Sequence, residues 1–236
     1  MSVPLLLLAA LLVWGTLVGL DVVSVPQFMI SRPLVAGTIT GAIIGMLTPT
    51  ATMAGSLMTG ILVGAILELY ALDVLPFGAS RYPDYGPATV AAVYTAMDWP
   101  RPEVGLGAGV LVGLLTAVLG GWLMQVVRRA NARAIQRRSA ALSAGEQVAI
   151  RALQWGGIRR DIARSAGVTA CGLGLAMLIW PLIPAGTDNF AWLSVMAIGG
   201  GISAAVSGAI RSAGRTRRLA WVFAGLVAGG LIVVLR

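Results

Sequence analysis

Four polar side chains stand where an otherwise apolar sequence breaks: Gln27 and Arg32 in QFMISRP, Glu68 in GAILELYAL, and Asp84 in RYPDYGP. Prolines 33, 76, 83 and 87 interrupt the helical pattern around them. A charge at the centre of a membrane helix costs on the order of 2.5 to 3.5 kcal/mol, so it is retained where it faces protein or water, and charges at broken helices point to a substrate path. The chemistry on offer is recognition. A carboxylate accepts two hydroxyl donors, an amide such as Gln27 both donates and accepts, and a ring such as Tyr70 beside Glu68 can cover the apolar face of a ligand. For Glu68 the other reading is an ion pair with Arg32 or Arg81. Asp84 also reads as a solvated residue that starts a turn. Arg32 reads first as the partner of an acidic residue, holding a hairpin shut.

The elements that must position these residues are membrane helices. The chain is 58% hydrophobic and 11% charged, with a mean hydropathy of +0.88, whereas a soluble domain is about a quarter charged. Several windows exceed the roughly 18 apolar residues that cross a hydrocarbon core. The fold class expected is an all-α polytopic membrane protein with two re-entrant or half-helix hairpins and an amphipathic cytoplasmic segment.

The net charge of +8 comes from arginine alone. Nine arginines fall in Arg128 to Arg164 and four in Arg211 to Arg218, between expected spans, where the positive-inside rule accounts for them without nucleic acid. A lone Cys171 excludes an internal disulfide and any multi-cysteine metal site. The absence of histidine removes histidine triads, histidine zinc sites and a phosphohistidine on this chain. No Walker loop, dinucleotide fingerprint or zinc motif is present, so no metal, cofactor or catalytic residue is expected.

The chain reads as one integral membrane domain, 1–236. Residues 1–103 contain the hairpins, 104–127 form a span, 128–164 form the arginine-rich segment, and 165–236 hold three further spans. Val3 to Leu20 reads as a retained first helix rather than a signal peptide. Leu34 to Met46 is short for a crossing and carries Gly37, Gly41 and Gly45 on one face, which suits a half-helix packed on protein. Ser56 to Leu72 resumes a helix, Leu75 to Pro87 reads as a loop, and Ala88 to Ala96 is again too short to span. The arginine-rich segment carries an intermittent apolar face that includes Leu142, Ile150, Leu153 and Trp155, as expected of amphipathic helices on a membrane surface. It reads first as a surface for lipid headgroups and second as a dock for an acidic or phosphorylated partner. Asp21 and Asp73 read as interfacial. The last three spans are expected at Ser165 to Ile183, Ala191 to Ile210 and Leu219 to Leu235.

The order SRPLVAG, a Gly-rich helix, TGILVGAILELYAL, a Gly-Ala turn and a Pro-Asp pair resembles the membrane subunit IIC of mannose/fructose/sorbose-type sugar phosphotransferase systems. The sequence departs from the family's pattern where Met46 stands in an acidic position and LTPTATMAGSLM intervenes before the next helix. The resemblance implies a sugar-translocating subunit in a bacterial inner membrane, with Glu68, Asp84, Gln27 and Arg32 at or near the sugar. It also implies hetero-oligomeric pairing with a IID subunit and delivery to a phosphorylated IIB (or IIAB) protein that carries the phosphoryl group. The other classes the sequence allows are a stand-alone secondary transporter or channel, and a non-transporting regulatory subunit of an incomplete phosphotransferase system.

Overall fold

The computed structural model describes residues 5–72, 82–97, 101–182 and 192–212, with the side chains of 209–212 outside that description. Asp73, Arg81 and the expected span Leu219 to Leu235 lie outside the described residues. The helices are α1 (Leu5–Asp21), α2 (Pro33–Leu47), α3 (Met53–Ala71), α4 (Tyr85–Met97), α5 (Pro102–Gln136), α6 (Ser139–Ser143), α7 (Gln147–Ile179) and α8 (Trp192–Ser212), with a 3-10 turn at Trp180–Leu182. No strand occurs among the described residues. Three stretches, Met53–Ala71, Pro102–Gln136 and Gln147–Leu182, are long and apolar enough to cross a membrane. The protein is an all-helical, multi-pass membrane protein.

Two helical hairpins form its centre, as the short apolar runs suggest. α2 and α3 pack backbone to backbone: a Cβ on Gly37 would strike the Gly60 carbonyl, one on Gly41 the Ser56 carbonyl, and one on Gly64 the Pro33 carbonyl. Small residues spaced by four on both helices permit this approach, which brings dispersion contacts and Cα–H contacts that larger side chains would hold apart. The segment that departs from the family pattern is the tip of this hairpin. Its Thr52 opens α3 by accepting the Gly55 N–H at 3.2 Å.

α4 is the second short element. Its 13 residues reach only ~20 Å at 1.5 Å per residue, less than the roughly 30 Å of a hydrocarbon core. Every residue from Gly86 to Ala96 is buried, so α4 runs inside protein instead of through lipid. It packs along α5, where Gly109 meets the Ala92 carbonyl and Gly120 meets the Asp84 Cβ. α1 joins the bundle through Trp14, whose Nε1 donates to Thr40 Oγ1 at 3.2 Å.

The arginine-rich segment is not a separate surface layer. α5 has 35 residues and α7 has 33, so each is ~50 Å long and both project past the apolar bundle at one end. The short α6 turns the chain between them. Gly145, at φ +72°, closes α6 in a left-handed conformation, with its N–H bonded to the Leu142 carbonyl and the Glu146 N–H to the Ala141 carbonyl. The segment's last turn bends inward: Asp161 and Arg164 are 3% and 4% exposed.

Candidate functional site

The end of α1, the start of α2, the end of α3 and the start of α4 meet at the same end of the molecule from which α5 and α7 project. The arginine-rich segment 128–164 lies at that end. Three groups of polar side chains are built there.

The first joins the two arms of the α2–α3 hairpin. Pro33 is the first residue of α2, and Arg32 before it is extended, so its side chain leaves at the helix mouth. Arg32 Nη2 lies 2.5 Å from Glu68 Oε1, and the Leu34 N–H donates to Glu68 Oε2 at 3.4 Å. Glu68 thus neutralises Arg32 and satisfies a free N–H at the positive end of α2. Its Oε1 is in ion-pair contact with Arg32 but accepts no aligned hydrogen bond. The Arg32 side chain is 54% exposed and that of Glu68 18%.

The second group is buried. Arg164, on α7, directs Nη1 to Asp84 Oδ2, Nε to Asp161 Oδ1 at 2.7 Å and Nη2 to the Gly19 carbonyl at 2.9 Å. Ser24 Oγ donates to Asp161 Oδ2 at 2.6 Å. One guanidinium therefore ties α1, the following loop, the start of α4 and α7 together. The cluster contains two carboxylates and one cation. Asp84 Oδ2 has Arg164, the Asp84 N–H donates to the Ala117 carbonyl at 2.9 Å, and Asp84 Oδ1 accepts no hydrogen bond among the described residues.

The third group organises the loop between α1 and α2. Asp21 accepts the Phe28 N–H at 2.5 Å and the Ser31 N–H at 3.0 Å. These two bonds hold a loop in which Gln27 and Met29 adopt φ of 62° and 64°, a region that costs a non-glycine residue energy and persists where its surroundings enforce it.

Of the residues singled out in the sequence, Arg32 and Glu68 are brought together as the ion-pair reading has it. Asp84 stands in the second cluster with different partners, and Gln27 is exposed on the loop. Two readings are corrected. Asp84 is not a solvated turn residue: at 1% exposure it is fixed by Arg164. Arg164 does not belong to the arginine surface of 128–164, since two carboxylates draw it into the bundle. Asp21, expected at the interface, is 3% exposed, its carboxylate taken up by loop N–H groups. Arg164 and Asp161 were missed as site residues, although their i, i+3 spacing is the signal of a helical ion pair.

A cavity of about 400 Å³ sits at the opposite end, beside Thr52, Ser56, Thr59 and Glu103. Another, of about 790 Å³, lies between α5 and α7 and reaches Ser24 and Asp161 of the second group. No group of three or more His, Cys, Asp or Glu suited to a metal occurs among the described residues.

Residues 5–210 match the family described as the PTS system sorbose-specific IIC component. The chain belongs to this family. Among curated relatives of this IIC chain, the mannose-specific EIIC component of Escherichia coli K12 is 29% identical over 102 residues, 43% of this chain and 34% of that protein. The sorbose-specific EIIC component of Klebsiella pneumoniae is 28% identical over 120 residues, 51% of this chain and 40% of that protein. The fructose permease IIC component of Bacillus subtilis 168 is 32% identical over 114 residues, 48% of this chain and 38% of that protein. The matched part thus spans well under half the length of each relative. A solved structure described as a membrane protein is similar to this IIC chain with a TM-score of 0.70 at 21% identity, covering 99% of this chain and 94% of the other. A chain from the complex of the mannose transporter ManYZ with microcin E492 is similar with a TM-score of 0.57 at 21% identity, covering 100% and 94%. Both likenesses concern the fold.

Proposed function

We propose that this IIC chain translocates a hexose-type sugar across the bacterial inner membrane, with Glu68 and Arg32 holding it at the cytoplasmic mouth of the α2–α3 hairpin. Gln27 would contribute from the loop and Asp84 from the start of α4. One observation carries the reading: Asp84 Oδ1 is a buried carboxylate oxygen with no hydrogen-bond donor among the described residues, at the same end of the bundle where Glu68, 18% exposed, is held by Arg32 and one long N–H contact. Such groups are rare, and a ligand with several hydroxyl donors suits them. The two helical hairpins would move as a transport core, since glycine contacts allow helices to shift at close range. Phosphoryl chemistry belongs in this reading to other subunits: a phosphorylated IIB or IIAB protein would receive the sugar, and a IID subunit would complete the membrane complex.

The test is co-purification with a IID partner, followed by binding of labelled hexoses and hexosamines to the complex. Saturable binding that falls at least tenfold in Glu68→Gln supports the reading. A stable complex in which wild type and Glu68→Gln bind no sugar would refute it and favour a regulatory subunit. Proton-coupled uptake by the chain alone in liposomes would favour a secondary transporter.

A further inference from the structure

The projecting ends of α5 and α7 do not pack flush. Between them, bounded by Val23 to Val25 of the loop after α1 and by α6, runs the groove of about 790 Å³. Its walls include Val127, Ile135, Leu142, Ile150, Leu153 and Trp155. At its edge it shares Leu153 and Arg160 with a smaller cavity of about 180 Å³, where Arg137, Arg138 and Arg160 converge. Arg160 is held in place by its Nη1 donating to Asn131 Oδ1 at 2.7 Å. Among the described residues no carboxylate lies within salt-bridge distance of these three guanidinium groups. Asp161, the acid that reaches the groove, already receives Arg164 and Ser24.

A polar cavity lined by three unneutralised guanidiniums is a phosphate site in its chemistry, because the planar fork of arginine matches phosphate oxygens. The adjoining wall has the opposite character. Trp155 is 63% exposed and Ile135 51%, exposure that in water would be left uncovered, and both flank a channel that begins at Val127, where the apolar bundle ends. A ligand filling both parts must carry a phosphate and a long apolar chain.

We propose that this groove binds an anionic glycerophospholipid, its phosphate held by Arg137, Arg138 and Arg160 and an acyl chain laid between α5 and α7. A phosphoprotein or free phosphate would satisfy the arginines and leave the apolar groove uncovered. A zwitterionic lipid would fill the groove with a cation beside three arginines. Cytoplasmic arginines near a membrane surface each favour anionic lipid by about 1 kcal/mol, or roughly fivefold, so three of them give strong selection by headgroup.

The experiment uses the purified full chain in detergent, incubated with phosphatidylglycerol or phosphatidylcholine of the same acyl chains and read by native mass spectrometry. Phosphatidylglycerol retention at least tenfold above phosphatidylcholine is expected. It should fall at least tenfold in Arg137→Gln/Arg138→Gln, whose side chains are exposed and whose melting temperature should not change. Ile150→Asp, which alters only the groove wall, should reduce retention severalfold with the arginines intact. Equal retention of the two lipids, or unchanged retention in the arginine variant, would overturn the proposal. So would displacement of phosphatidylglycerol by millimolar inorganic phosphate, which would leave a free-phosphate site, or selective capture of a phosphorylated soluble protein with no lipid preference.

Discussion

Replacing Arg164 with methionine should be among the most damaging single changes in this bundle. The guanidinium holds Asp84, Asp161 and the Gly19 carbonyl. Methionine fills similar volume and supplies none of the donors. Asp161 would keep the Ser24 hydroxyl at 2.6 Å, but Asp84 would lose its side-chain partner while remaining 1% exposed. Removing one member of a buried ion pair costs about 3 to 5 kcal/mol, because the other charge stays buried. The unfolding equilibrium should therefore shift by about two to three and a half orders of magnitude. Asp84→Asn should cost only about 1 kcal/mol: its amide oxygen still accepts from Arg164, and Asp161 still neutralises the cation. The double variant Arg164→Met/Asp84→Asn should regain at least about 2 kcal/mol relative to Arg164→Met, since the stranded charge is gone. Reversible unfolding by dodecyl sulfate in mixed micelles, followed by tryptophan fluorescence, measures all three. An Arg164→Met loss below about 1 kcal/mol, or no recovery in the double variant, would refute the view that Arg164 stabilises the fold by compensating Asp84.

The hairpin and the loop give two further expectations. Gly41→Leu would push a side chain into the Ser56 carbonyl and Leu57, so α2 and α3 must separate. A loss of about 2 kcal/mol or more is expected by the same unfolding assay, against near-neutral behaviour for the same change at Gly174, where a Cβ meets nothing within 4 Å. Asp21→Ala would free the Phe28 and Ser31 N–H groups. Amide exchange across residues 22–32 should then accelerate by at least tenfold with α4 and α5 unchanged, and a uniform increase over the whole bundle would contradict a local role for Asp21.

The hairpin architecture was legible because its signals are local. Gly37, Gly41, Gly60 and Gly64 announce close packing by spacing alone, and the 13 residues of α4 are too few to span. Glu68 with Arg32 was legible for a related reason: a charge near a helix end and a cation before a Pro-initiated helix both need partners, and few were available. Asp84 with Arg164 was not. Eighty residues separate them in sequence, and the arginine stands among eight others whose positions are explained by topology. The i, i+3 spacing to Asp161 marks Arg164 as half of a helical ion pair, but nothing local says that this pair turns inward. The distinguishing fact is tertiary, that Asp84 at the start of a wholly buried helix arrives against α7. Asp21 was hidden by a different ambiguity, because an acid at a helix end in membrane sequence reads the same whether it meets headgroups or caps a loop.

The two carboxylates near the proposed sugar site differ in how freely they can change partners. The Arg32–Glu68 pair is partly solvated, with Arg32 54% exposed, and ion pairs of that kind contribute about 0 to 1 kcal/mol. Sugar hydroxyls could take over Glu68 at little cost, while water compensates the released arginine. The Asp84–Arg164 pair has no such substitute: separating it strands charge in the interior at several times that cost, so it stays closed through any motion of the hairpins, and only Asp84 Oδ1 remains to accept a donor. The proposed site is thus a fixed carboxylate in α4's buried start facing the problem of binding, and an exchangeable one between the hairpin arms facing the problem of release. It follows that Glu68 is the residue through which ligand occupancy would open or close the mouth of the α2–α3 hairpin, whereas substitutions at Asp84 act on binding and on the stability of the bundle together.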